Sequence, residues 1–112
     1  MTAPKDLPYS ISGRDLVAQV NGMRVQILTL EGTERIPWHF HTAVHDIFVC
    51  LHGVTVVETR KEQSRHELSP GDYLMVEPGT LHEVSSKEDK GCKFILTQGV
   101  GKHDFNTLAT QA

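Results

Sequence analysis

Two histidines set one residue apart carry the chemistry of this chain. They stand in the stretch Trp38-His39-Phe40-His41, and Asp46 follows five positions after the second. On an extended strand, residues i and i+2 point to the same face. His39 and His41 therefore aim two nitrogen donors at one point. Imidazole is the commonest protein ligand for a transition metal, so the pair predicts a metal site. A third imidazole, His82, follows the Pro78-Gly79 turn further along the chain.

The other histidines divide by position. Four of the seven fall between His39 and His52. His45 precedes Asp46 and points to the opposite strand face, as a surface or interface residue. His52, His66 and His103 have no partner pattern and read as surface residues. Cys50 shares the face of Asp46, either as a small buried apolar residue or as part of a pocket lining. The chain has no Gly-x-Ser-x-Gly elbow and no phosphate-cradling glycine loop.

These residues must be held by strands. Met23 to Leu30 alternates, with Val25 and Ile27 on one face and Arg24, Gln26 and Leu28 on the other. Further extended pieces are Ile36 to His41, Asp46 to Leu51, Val54 to Arg60, Arg65 to Leu68, Tyr73 to Glu77, His82 to Ser86 and Cys92 to Thr97. Turn signals separate them: the polar tip Lys61-Glu62-Gln63-Ser64, then Ser69-Pro70-Gly71-Asp72, Pro78-Gly79-Thr80 and the charged loop Lys87 to Gly91. About eight short strands with such punctuation predict an all-β sandwich or barrel. Asp15 to Val20 reads equally as a helical turn or a strand. The tail from Gly99 to Ala112 reads as loosely ordered, with Phe105 and Leu108 as residues that pack back.

Asp46 to Leu51 is apolar on both faces beyond its aspartate, which marks a strand covered on both sides. In so short a chain the second cover is another subunit, which predicts a homodimer. Trp38 and Phe40 flank the histidine pair on the opposite face, as core or dimer-interface packing. By alternation, Phe48, Val56, Leu74, Val76, Val84, Phe94 and Leu96 wall an apolar cup.

Composition bounds the rest. A chain of 112 residues with 38% hydrophobic content supports one domain, 1–112, with its core over about 23–98 between an N-terminal arm and a C-terminal tail. Its net charge of -3 excludes a basic nucleic-acid surface. Arg24 and the other cations read as scattered surface charge. No apolar run approaches the ~20 residues that span a bilayer. Residues Met1 to Asp6 lack a signal-peptide core, and Cys50 and Cys92 do not make a disulfide framework. Those features point to the cytoplasm.

The chain resembles the cupin superfamily in two blocks. The first reads Gly32, His39 and His41, Asp46, then Gly53; the second reads Gly71, Gly79, then His82. Three positions depart from the family pattern. Asp46 stands where the family usually has glutamate, Glu77 takes the usual proline place with Pro78 beside it, and Ser86 replaces a final asparagine. The resemblance spans Gly32 to Ser86. It implies a double-stranded β-helix, or jelly roll, with His39, His41, His82 and Asp46 around one divalent ion. Asp46 either coordinates directly or acts from behind, through a water or as a general base. The donor set suits Fe, Mn, Ni, Co or Zn and disfavours Ca and Mg.

The resemblance implies dioxygenase, isomerase, lyase or cyclase chemistry on a small organic molecule. The alternatives are a non-catalytic module for a small ligand or metal, and a structural ion that pins the sheets.

Overall fold

The computed structural model describes residues 7–60 and 63–108. Lys61 and Glu62 of the predicted hairpin tip, the start of the N-terminal arm and the last four residues lie outside them. Among the described residues nine strands form: β1 (Gly13–Val20), β2 (Met23–Leu30), β3 (Ile36–His39), β4 (His45–Gly53), β5 (Thr55–Thr59), β6 (Ser64–Leu68), β7 (Tyr73–Val76), β8 (His82–Ser86) and β9 (Cys92–Gly99). Eight match the predicted strands to within a few residues. The ninth, β1, resolves the ambiguous stretch before Val20 as strand. A single 3-10 turn over Lys87–Asp89 occupies the charged loop.

The strands pair antiparallel in two sheets that face each other as a jelly roll. One has the order β1-β2-β9-β4-β7 and the other β3-β8-β5-β6. Between them lie Leu28, Leu30, Ile36, Phe48, Val57, Val84 and Phe94, all buried. Each such side chain contributes roughly 1.5–3 kcal/mol on leaving water.

The inner face of the larger sheet grades from polar to apolar along its strands. One cross-strand row reads Arg24–Gln98–Asp46. The next reads Gln26–Leu96–Phe48, and the third Leu28–Phe94–Cys50. Side chains two apart share a face, so all three rows point inward. The polar end becomes the site and the apolar end the core. On β2 it is therefore Gln26, Leu28 and Leu30 that are buried, while Val25 and Ile27 lie half-buried on the other face.

Glycine is required where the chain turns sharply between β4 and β5. Gly53 has φ of 69°, and a Cβ there would sit 2.3 Å from the Gly91 carbonyl oxygen. Gly79 has φ of 82° with open space around it. Its N–H donates to the His41 carbonyl at 2.7 Å, which ties the turn before His82 to the segment that carries the histidine pair.

Candidate metal centre

Three strands and one loop deliver the donors. His39 ends β3 and pairs in register with His82 at the start of β8. A bulge between Ile36 and His39 turns both side chains inward, although they stand an odd number of positions apart, at i and i+3. His41 lies just past β3, and Asp46 comes from β4 in the facing sheet. All four side chains are buried, and their nearest ligand atoms lie within 4.8 Å of one another. The ring centroids of His39 stand 4.9 Å from His41 and 4.1 Å from His82. The predicted set is thus brought together in one cluster.

Hydrogen bonds fix which nitrogen each ring presents. His39 Nδ1 donates to the Pro37 carbonyl at 2.6 Å, His82 Nδ1 to the Thr80 carbonyl at 2.8 Å and His41 Nδ1 to the Asp104 carbonyl at 2.5 Å. A carbonyl only accepts, so Nδ1 carries the proton in every ring and Nε2 is the inward-facing donor atom. Histidine ligands usually show this arrangement. Around a first-row ion at about 2.0–2.2 Å, opposed ligand atoms lie roughly 4 Å apart. The set fits such an ion after drawing in by less than about 1 Å.

Asp46 is the hub. Its Oδ2 lies 2.9 Å from His41 Nε2 and 3.0 Å from His82 Nε2, and its Oδ1 accepts from Gln98 Nε2 at 3.0 Å. Burial would raise this carboxyl, but the bonds from His41 and His82 outweigh it and hold it well below the usual carboxylate range. Burial also opposes charge on His41, yet the hydrogen bond and charge of Asp46 raise its pKa above the ordinary imidazole value. His39 is pushed down to about 3, first by burial and then by the charges of His82 and His41. It stays a neutral donor across the working pH range.

A cavity of about 380 Å³ opens onto the cluster. Of the seven predicted wall residues, Phe48, Val84 and Leu96 line it. Phe94 and Val76 pack into the core and Leu74 packs against it. Val56, adjacent to the inward Val57, is buried away from the cavity. Cys50 is also a core residue, its Sγ 3.3 Å from the Gly53 carbonyl.

Several site residues escaped sequence reasoning. Arg24 is not scattered surface charge: it lines the cavity and donates from one terminal nitrogen to Gln98 Oε1 at 2.7 Å. Gln98 therefore bridges Arg24 to Asp46, and both demands agree on which end of its amide faces which partner. Arg14 and Tyr9 come from the N-terminal arm. His103 is a half-buried cavity wall rather than a surface residue, with Nε2 3.4 Å from the Gln98 carbonyl. The segment around it closes the site. Phe40 and Asn106 exchange backbone hydrogen bonds, and Thr42 holds the Asp104 carboxylate. Phe105 stacks on His39 with centroids 4.4 Å apart and planes 14° from parallel. Leu108, predicted to pack back with it, is exposed.

Remaining histidines lie apart from the cluster. His45 points away from Asp46 on β4, His52 is exposed, and His66 sits on the edge strand β6. Trp38 is half-buried with the Arg60 guanidinium 4.8 Å over its ring, and Phe40 is buried. Among the described residues no helix is long and apolar enough to cross a membrane.

Known proteins place this architecture. The chain is similar to an uncharacterised conserved protein with a double-stranded β-helix domain from Klebsiella pneumoniae, with a TM-score of 0.73 and 18% identity over 92% of this chain and 86% of that one. It is similar to a cupin-2 domain-containing protein from Shewanella frigidimarina, with a TM-score of 0.67 and 20% identity over 80% and 82% of the two chains. KdgF from Halomonas sp. is alike at a TM-score of 0.69 and 21% identity, over 80% of each chain. No curated protein sequence matches the chain. Residues 26–97 match the family model of the cupin domain; the chain belongs to the cupin superfamily.

Proposed function

We propose that His39, His41, His82 and Asp46 hold one divalent first-row ion, and that the chain is a metal-dependent enzyme acting on a small organic molecule. The observation that carries this reading is the buried cluster itself: three imidazoles with Nδ1 tied to carbonyls and Nε2 facing one carboxylate, at the wall of a cavity. Fe, Mn, Ni, Co and Zn all suit these donors. A bound ion would supply Lewis acidity and a template for substrate or O₂. The adjoining cavity favours this over an ion that only pins the sheets, since a structural site is closed by its own ligands.

The chain's residues divide the remaining work. Asp46, held well below the carboxylate range, is a poor proton acceptor and serves better as a ligand or as the anchor of His41 and His82. Gln98 and Arg24 orient it. Ile36, Phe48, Val84 and Leu96 exclude water from the cavity wall. Tyr9, His103 and Asp104 are further titratable groups facing that space.

Metal analysis of freshly purified protein tests the reading, followed by O₂ uptake with thiols, diketones and catechols. We expect close to one ion per chain and background metal in the His39→Ala/His82→Ala double variant. Full metal content in that variant would refute the assigned ligands. Metal and ligand binding without turnover of any class would identify a binding module instead.

A homodimer is part of the same proposal. The outer face of the larger sheet carries the rows Val25–Thr97–Ile47–Met75 and Ile27–Ile95–Val49–Tyr73. Ile47, Met75 and Tyr73 are 37%, 50% and 77% exposed in one chain, and a second copy of this apolar face would cover them. Two buried free thiols, Cys50 and Cys92, support a reducing, cytoplasmic location.

A further inference from the structure

The cavity holds a second group of polar side chains, two of whose donors lack acceptors among the described residues. Gln26 is 1% exposed. Its Oε1 accepts from Arg14 at 3.1 Å, but its Nε2 has no partner among the described residues. The Nε of Arg24 is likewise buried and without a partner there. Leaving a buried donor unmet is costly. Both residues line the cavity.

Charge points the same way. Arg14 spends one terminal nitrogen on Gln26 and the other on the Tyr9 hydroxyl at 2.7 Å. Neither Arg14 nor Arg24 makes an ion pair with a carboxylate among the described residues. Asp46 is already engaged by His41 and His82. Burial depresses the Arg24 guanidinium and the charge of Arg14 depresses it further, so the two cations repel across a shared space. An anion there would meet the free donors and relieve the repulsion at once.

We propose that the substrate of the metal site carries a carboxylate, which Gln26 Nε2 and Arg24 Nε bind while another oxygen of the same molecule reaches the ion. This rests on the metal reading above and names its substrate class. A carboxylate fits because its two coplanar oxygens match two single donors from planar groups. A phosphoryl group would leave further charged oxygens against Phe48 and Leu96, which sit in the same register row as Gln26. Arg24 and Asp46 are two strands apart in one row, about 10 Å at the backbone. Side chains reaching inward shorten that span to a body of roughly three to six carbons.

Hydroxamates test this, because their metal-binding head is constant. Zn(II)-loaded protein is titrated with acetohydroxamate, with the monohydroxamates of succinic, glutaric and adipic acid, and with the matching ω-amides. We expect the best acid to bind at least tenfold more tightly than its amide, about the worth of one charge-assisted hydrogen bond. Gln26→Leu should cut that ratio below about threefold, with zinc content and acetohydroxamate affinity unchanged. Gln26→Met serves if the leucine variant does not fold. Acids and amides binding alike at every length, at full zinc content, would overturn the carboxylate site and leave the metal reading standing. Inorganic phosphate displacing the best acid at lower concentration than glutarate would overturn the carboxylate class. A wild type that takes up no zinc would remove both readings.

Discussion

Metal binding should expel a proton, and acid should oppose it with a calculable slope. His41 donates from Nδ1 to the Asp104 carbonyl and lies 2.9 Å from the Asp46 carboxylate through Nε2. Its raised pKa means that Nε2 also carries a proton over part of the physiological range. An ion needs that lone pair, so the proton must leave. His39, held at about 3, and Asp46, held lower than ordinary carboxyls, have none to give near neutrality. The sign follows. Below the raised His41 pKa each unit of acid lowers affinity by at least about tenfold, or 1.36 kcal/mol. Isothermal titration calorimetry with Zn(II) in two buffers of different ionisation enthalpy counts the protons directly. We expect at least one per ion below that pKa and a falling count above it. Binding that releases no proton at any pH between about 5 and 8 would contradict the hydrogen-bond assignment at His41.

Phe105→Ala removes the ring stacked on His39, worth about 0.5–1.5 kcal/mol, so zinc affinity measured against a competing chelator should fall roughly two- to tenfold; an unchanged affinity would show that the tail does not orient the ligand. Gly53→Ala places a Cβ 2.3 Å from the Gly91 oxygen at positive φ, whereas Gly79→Ala meets only the φ of 82°. Chemical denaturation should show a loss above about 2 kcal/mol for the first and about 1 for the second; equal losses would mean that the β4–β5 turn relaxes freely. For the dimer, light scattering should give twice the 12.5 kDa of one chain, and Ile47→Asp should return the single-chain mass with metal content intact. A wild type already at the single-chain mass would end the dimer proposal.

Local pattern made the strands legible, and the spacing of the histidines made the donor set legible. His39, His41, Asp46 and His82 could be nominated because alternation and turn glycines act over a few residues. Gln98 left a fainter trace: Cys92, Phe94 and Leu96 precede it on the inward face of β9, and a polar residue continuing an apolar face is a signal. Gln26 before Leu28 and Leu30 is the same signal on β2. Arg14 and Tyr9 left none, and Phe105 was legible only as a tail residue that packs back, not as the ring that meets His39. Their place in the site depends on β1 forming a hairpin with β2, from a stretch whose own pattern left helix and strand open, and on the Phe40–Asn106 bridge between segments far apart in the chain. The bulge before His39 was equally hidden, since strict alternation puts Ile36 and His39 on opposite faces.

Anomalous scattering from crystals grown with Ni(II) or Zn(II), collected on both sides of the absorption edge, tests the central assignment most directly. One strong peak is expected, bonded to Nε2 of His39, His41 and His82, with Asp46 either coordinating or within hydrogen-bond reach of the ion's water. A reconstituted crystal with no peak among these side chains, and Asp46 still bonded to His41 and His82, would contradict it.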